Sequence, residues 1–111
     1  MTNKIVVLVT CGSINEAQQI GRALVDRKLV ACANIFRIPV QSIYRWKDKI
    51  ELAEEVLLLL KSSRSRFAAV QSAIRKLHSY DVPEIIALPI AAGSRGYLEW
   101  ISSSVSGGTR R

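Results

Sequence analysis

Residues 56–60 read Val-Leu-Leu-Leu-Leu, an unbroken apolar run closing a segment that opens at residue 50. Successive side chains of a strand point to opposite faces, so Val56, Leu58 and Leu60 share one face and Leu57 and Leu59 the other. A strand that is apolar on both faces is a strand buried on both. Residues 5–9, IVVLV, read the same way, with Ile5, Val7 and Val9 opposing Val6 and Leu8. So do residues 84–90, EIIALPI, where Ile86, Leu88 and Ile90 oppose Ile85 and Ala87.

Working outward, helical patterns fall between these strands. After a turn at Cys11-Gly12, Ser13 and Glu16 have the spacing of a capping box. Ala17, Ile20, Leu24 and Lys28 then recur at helical spacing, with Val25 widening the stripe, which predicts a helix over 14–28. Residues 29–46, LVACANIFRIPVQSIYRW, are extended, and Pro39 within them marks an edge or a bulge because proline cannot donate to a ladder. Lys47-Asp48-Lys49 forms a hairpin turn, with aspartate tolerating a left-handed backbone. A second helix is expected over 63–78, with Phe67, Val70, Ile74 and Leu77 on one face. A short last helix opens at Gly93-Ser94 and carries Leu98, Ile101 and Val105.

The order is β-α-β-β-α-β plus a C-terminal helix, an α+β arrangement of the ferredoxin-like, split βαβ kind. Its antiparallel sheet carries both main helices on one face. Residues 1–105 are expected to form a single domain, with 106–111 as a flexible tail. Two helices cover one sheet face. The other would expose more apolar surface than a soluble monomer tolerates, so copies of the chain must meet there, with closed symmetry.

Composition bounds the function. The chain has 111 residues, of which 49% are hydrophobic and 23% charged, the profile of an ordinary globular protein. No apolar run approaches the roughly 18 residues of a membrane helix, and the stretch at residues 5–9 is too short for a signal-peptide core. A cytoplasmic protein with no membrane partner is expected. Cys11 and Cys32 form no CxxC pair and read as free thiols. The net charge of +7 is spread along the chain or placed in the tail at Arg110 and Arg111, which reads as a solvated surface and not as a nucleic-acid interface. RNA recognition on such a sheet needs aromatics on residues 5–9 and 56–60, and there are none. Phosphate-binding glycine loops are absent as well.

His78 is the only histidine; with Cys32, Cys11 and a carboxylate it offers the donor set that suits copper or zinc. No local spacing such as HxxxH advertises a site, and His78 at a helix end also reads as a cap, Cys32 as a packed core thiol. Residues 78–84, HSYDVPE, gather His, Tyr, Asp and Glu in one connection, either a functional loop or a polar link. Tyr44 and Trp46 flank the hairpin turn as interface anchors or as hairpin packing. Lys61 closes an apolar strand, where a lysine ordinarily snorkels to water. A Cys32–His78 catalytic pair has no support in the sequence, since nothing near Cys32 would lower its pKa.

Several blocks together resemble the CutA family of small divalent-cation-tolerance proteins. They are LVACANI (29–35), SIYRWKDKIE (42–51), EEVLLLLK (54–61), HSYDVPEI (78–85) and YLEWI (97–101), and the likeness spans about residues 4–101. The resemblance implies a ferredoxin-like subunit in a tight homotrimer, with hairpin strands shared between subunits and no established catalysis. It implies weak binding of copper or another divalent cation, with Cys32, His78 and Glu84 as contributing ligands. It also carries over Tyr44, Trp46, Glu55, Lys61 and Tyr80 as lining clefts between subunits. An alternative under the same resemblance is a regulatory trimer like the P-II signalling proteins, taking a small molecule in that cleft. Three positions depart from the pattern. Gly12 and Ser79 stand where it has proline, which should make the first turn flexible and loosen His78, and Asp48 replaces the hairpin glycine.

Overall fold

The computed structural model describes residues 1–106, so the tail expected beyond Ser106 lies outside the described residues. Strand β1 (Lys4–Cys11) leads into helix α1 (Ile14–Asp26), then β2 (Cys32–Ile35), β3 (Val40–Trp46) and the long β4 (Lys49–Ser63). A 3-10 turn at Arg64–Arg66 opens α2 (Phe67–Leu77), followed by β5 (Ile85–Pro89) and α3 (Arg95–Ser104). The strand order is β2-β4-β1-β5, with β3 paired to β4 outside this path and every pairing antiparallel. The single extended stretch expected over 29–46 is two strands. The chain breaks between Ile35 and Val40, where Pro39 has no N–H to give a ladder.

β4 does two jobs along its length. From Val56 to Ser63 it is central, with β1 on one side and β2 on the other; from Lys49 to Glu55 it pairs with β3 alone. The hairpin therefore runs on past the four-stranded part, and the chain measures 49 × 26 × 24 Å. Its two-residue turn has Lys47 at φ 51° and Asp48 at φ 66°, the doubly left-handed turn that matches strand twist.

Helix α1 stops two residues earlier than its apolar spacing predicted. Lys28 turns left-handed at φ 59°, and Leu29 N–H reaches back to the Leu24 carbonyl, a Schellman ending. On the sheet, Ile5, Val7, Val9, Val56, Leu58 and Leu60 pack under Ile20 and Leu24 of α1 and Val70 and Ile74 of α2. Each such side chain contributes roughly 1.5–3 kcal/mol on burial. α1 lies so close to β2 that a Cβ on Gly21 would sit 2.9 Å from that of Ala33, which explains a glycine in mid-helix.

The opposite face is only partly covered. α3 packs Leu98, Ile101 and Val105 against Ala31 and Ile90 at one corner. Beyond it Val6, Leu8, Leu57 and Leu59 are half-buried, and Ile86 and Leu88 remain 47% and 48% exposed.

Candidate functional site

Where the hairpin leaves the sheet, β3, β4 and the α2–β5 connection enclose a cleft of about 560 Å³. Tyr44 and Trp46 come from β3, Glu55 from β4, and Tyr80, Asp81 and Glu84 from the connection; Thr10, Ser42, Ile43 and Val82 complete the lining. The alternation of β4 sends Glu55 to the face of Leu57 and Leu59, and the end of the apolar run leaves it as the first acidic side chain there. It is 7% exposed. Its Oε2 accepts from the Tyr80 hydroxyl at 2.9 Å. Burial first, then that bond and the charge of Glu55, hold the Tyr80 phenol above its usual range, so it stays a donor.

Behind the cleft, Glu16 and His78 hold the connection in place. Glu16 N–H donates to Ser13 Oγ at 3.1 Å, half of the expected capping box. The carboxylate does not close the box on Ser13; Oε1 accepts from Gly12 N–H at 3.0 Å and Oε2 from Ser79 N–H at 2.8 Å. Burial alone would raise the Glu16 carboxyl, but the bonds from Gly12 and Ser79 outweigh it and hold it below its ordinary value. Ser79 was expected to loosen His78. Instead, the N–H that a proline would lack is anchored.

His78 is buried with both ring nitrogens engaged. Tyr80 N–H donates to Nδ1 at 3.1 Å, and Nε2 lies 2.8 Å from the Thr10 carbonyl. A backbone N–H can only donate and a carbonyl can only accept, so the ring carries its proton on Nε2. The histidine thereby fixes the backbone that presents Tyr80 to Glu55.

The residues singled out from the sequence thus separate into three places. Tyr44, Trp46, Glu55, Tyr80 and Glu84 converge on the cleft. His78 lies behind it. Cys32 and Lys61 are cross-strand partners farther along the sheet, six residues from Glu55 on β4, or about 20 Å. There Lys61 Nζ donates to Asn34 Oδ1 and lies 3.8 Å from Cys32 Sγ, with the Tyr97 hydroxyl 4.0 Å from the same sulfur. Cys32 therefore does have a basic neighbour, supplied across the ladder. Cys32, His78 and Glu84 do not come together within the subunit.

One group of three metal-type side chains does converge among the described residues, namely Cys11, Glu16 and His78, with ligand atoms within 4.8 Å of one another. It does not fit a ready metal site. Burial first, then the charges of Glu16 and Glu55, push the Cys11 thiol up to about 12, whereas a metal needs thiolate. Both oxygens of Glu16 and both nitrogens of His78 are already bonded. Glu16 was not among the expected site residues, and Cys11 was named only as one of the soft donors in the composition, since the partners of both lie far off in sequence.

Residues 5–104 match the family of CutA1 divalent ion tolerance proteins. The chain belongs to that family. Divalent-cation tolerance protein CutA of Thermus thermophilus is 45% identical over 97 residues, covering 86% of this chain and 92% of that protein. The Archaeoglobus fulgidus protein of the same name is 38% identical, covering 89% and 95%. Among solved structures, CutA from Xylella fastidiosa superposes with a TM-score of 0.90 at 33% identity, over 94% of this chain and 99% of that one. The A. fulgidus structure, described as a periplasmic divalent cation tolerance protein, gives 0.88 at 37%, over 92% and 98%. The CutA1 chain thus has an α+β fold with an antiparallel sheet shared with these proteins.

Proposed function

We propose that this CutA1 protein serves divalent-cation tolerance by binding its ion, without catalysis, as a homotrimer of ferredoxin-like subunits. The cleft carries the reading. Glu55, Asp81 and Glu84 line it, and among the described residues no lysine or arginine does. In a chain of net charge +7, a cleft whose charged groups are all carboxylates is a local reversal of sign that suits a cation. These carboxylates do not form a three-ligand group within one subunit, so a neighbouring copy would complete the coordination. The uncovered sheet face supplies the reason for copies to meet. Carboxylate oxygens accept hard divalent ions and Cu(II) alike, while copper would gain from a nitrogen donor that His78 can offer only by releasing a bond.

Light scattering and calorimetric titration of chelator-stripped protein with Cu(II), Zn(II) and Mg(II) test this. Three subunits, with binding weakened in Glu55→Gln and Glu84→Gln but kept in His78→Gln, is the expected result. A monomer, or isotherms unchanged in both carboxylate variants, overturns it. We also propose the cytoplasm as the compartment, on the ground that Cys11 and Cys32 are both free; cell fractionation checks it.

A further inference from the structure

We infer that the cleft also binds an organic cation, a primary alkylammonium whose carbon chain lies along Trp46 and whose nitrogen meets Glu55. This rests on the reading of the cleft as a cation site and adds a chemical class to it. The acidic side chains alone would not distinguish a metal from an amine. The walls do. Tyr44, Trp46, Ile43 and Val82 line a space of about 560 Å³, within the range of small-molecule pockets. An ion with its own oxygen shell gains nothing from such walls. An alkylammonium uses both parts, its carbon chain against the apolar and aromatic side chains and its charged nitrogen at the Glu55 carboxylate.

The floor of the cleft is the second observation. Glu55 is 7% exposed, and carboxylates so deeply buried are ordinarily paired with a cation. Here Oε2 is bonded to the Tyr80 hydroxyl, and Oε1 accepts no hydrogen bond among the described residues. That oxygen is not sealed off either, since among the described residues the one buried polar side-chain atom lacking a partner is Nε of Arg66. With the Tyr80 proton already given to Glu55, the side-chain donors that remain are the Ser42, Thr10 and Tyr44 hydroxyls and the Trp46 indole N–H, all uncharged, against three carboxylates as acceptors. The cleft therefore favours a ligand rich in N–H groups and repels anions. Asp81 and Glu84 are exposed at the rim while Glu55 lies deep, so a second ammonium at the far end of a short chain has its own partner.

The test is calorimetric titration of the chelator-stripped oligomer with n-butylamine, 1,4-diaminobutane and, as the uncharged analogue, butan-1-ol. Both amines should saturate, the diamine more tightly, and the alcohol should not. Glu55→Gln should weaken n-butylamine about tenfold or more, the effect of losing one charge-assisted bond. Glu84→Gln should weaken the diamine selectively. Trp46→Phe should retain part of the affinity that Trp46→Ala loses. Subunit number and melting temperature are checked for every variant; should Glu55→Gln fail to fold, Glu84→Gln and the Trp46 pair still decide. Absence of saturation by the amines, equal binding of the alcohol, or indifference to these substitutions overturns the inference. If divalent ions bind through Glu55 and amines do not, the inference falls and the cation reading stands. If amines bind and metals do not, the metal function falls and the inference stands.

Discussion

The carboxylate of Glu16 pins two turns at once, and this can be measured. Gly12 and Ser79, the positions where the resemblance implies proline, each give Glu16 an N–H, at 3.0 and 2.8 Å. Hydrogen bonds to a charged acceptor contribute about 1.5–3 kcal/mol each, and both lie where water can enter, so the lower end applies. Glu16→Ala should therefore destabilise by ~3 kcal/mol. Ser79→Pro removes both groups that Ser79 offers to Glu16, its N–H and its hydroxyl. Its stiffening returns up to ~1 kcal/mol, because His78 already has φ −80° and ψ 143°, the conformation preferred before proline. In that background Glu16→Ala should cost only ~1.5 kcal/mol, a coupling of about the same size. Urea unfolding of the four proteins at one fixed concentration measures the cycle. The pH dependence has a definite sign. The folded Glu16 carboxyl titrates below its ordinary value, so its stabilisation is complete above that value and disappears as pH falls through the depressed one. Wild type and Glu16→Ala should converge in acid. Additivity within ~0.5 kcal/mol, or a cost of Glu16→Ala that persists in acid, would refute the assignment.

His78→Ala, measured without metal, should destabilise by ~2–5 kcal/mol because it orphans the Thr10 carbonyl and the Tyr80 N–H. His78→Gln, which keeps one donor and one acceptor, should recover much of that, and equal stability of all three proteins in thermal melts would remove the structural role. For Cys11 the folded thiol titrates near 12 against an ordinary 9.0. Its stabilisation is therefore present below the ordinary value and is lost as pH rises between the two, by up to about 1.4 kcal/mol per pH unit. Unfolding curves of Cys11→Ala should lack that alkaline decline relative to wild type.

What the sequence shows and conceals follows from range. Period-two alternation in residues 5–9 and 56–60 is local, and it identified both faces of β1 and β4 correctly. The Ser13–Glu16 cap and the left-handed Asp48 are local as well. Helix ends were less legible: nothing in Lys28 announces φ 59°, and Arg64–Arg66 tightened into a 3-10 turn where a first α-helical turn was expected. The cleft residues were found through the order of sequence blocks, because no spacing relates Tyr44 to Glu84. Two contacts across long separations had no signal at all, the Ser79–Glu16 bond over 63 positions and the Lys61–Cys32 approach over 29. Both depend on strand register and helix direction together.

The two-faced sheet can now be weighed as a surface for assembly. Ile86 and Leu88 have about half of their surface left to bury, and Val6, Leu8, Leu57 and Leu59 at most about a third, which at ~2 kcal/mol for a whole side chain yields under ~5 kcal/mol per chain. Association costs about 4–15 kcal/mol in lost rigid-body freedom, so this face by itself would give a marginal contact at best. The hairpin supplies the remainder. Ile43, Ile50 and Leu52 are 64%, 58% and 63% exposed on strands that have no helix over them. Burying them adds ~4 kcal/mol more and brings the sum into the range where a closed assembly holds. These strands also carry Tyr44, Trp46 and Glu55, so whatever covers the hairpin borders the cleft. The proposed assembly and the proposed ligand binding are therefore linked by position: a substitution that keeps a neighbouring copy off the hairpin would also open the walls around Glu55.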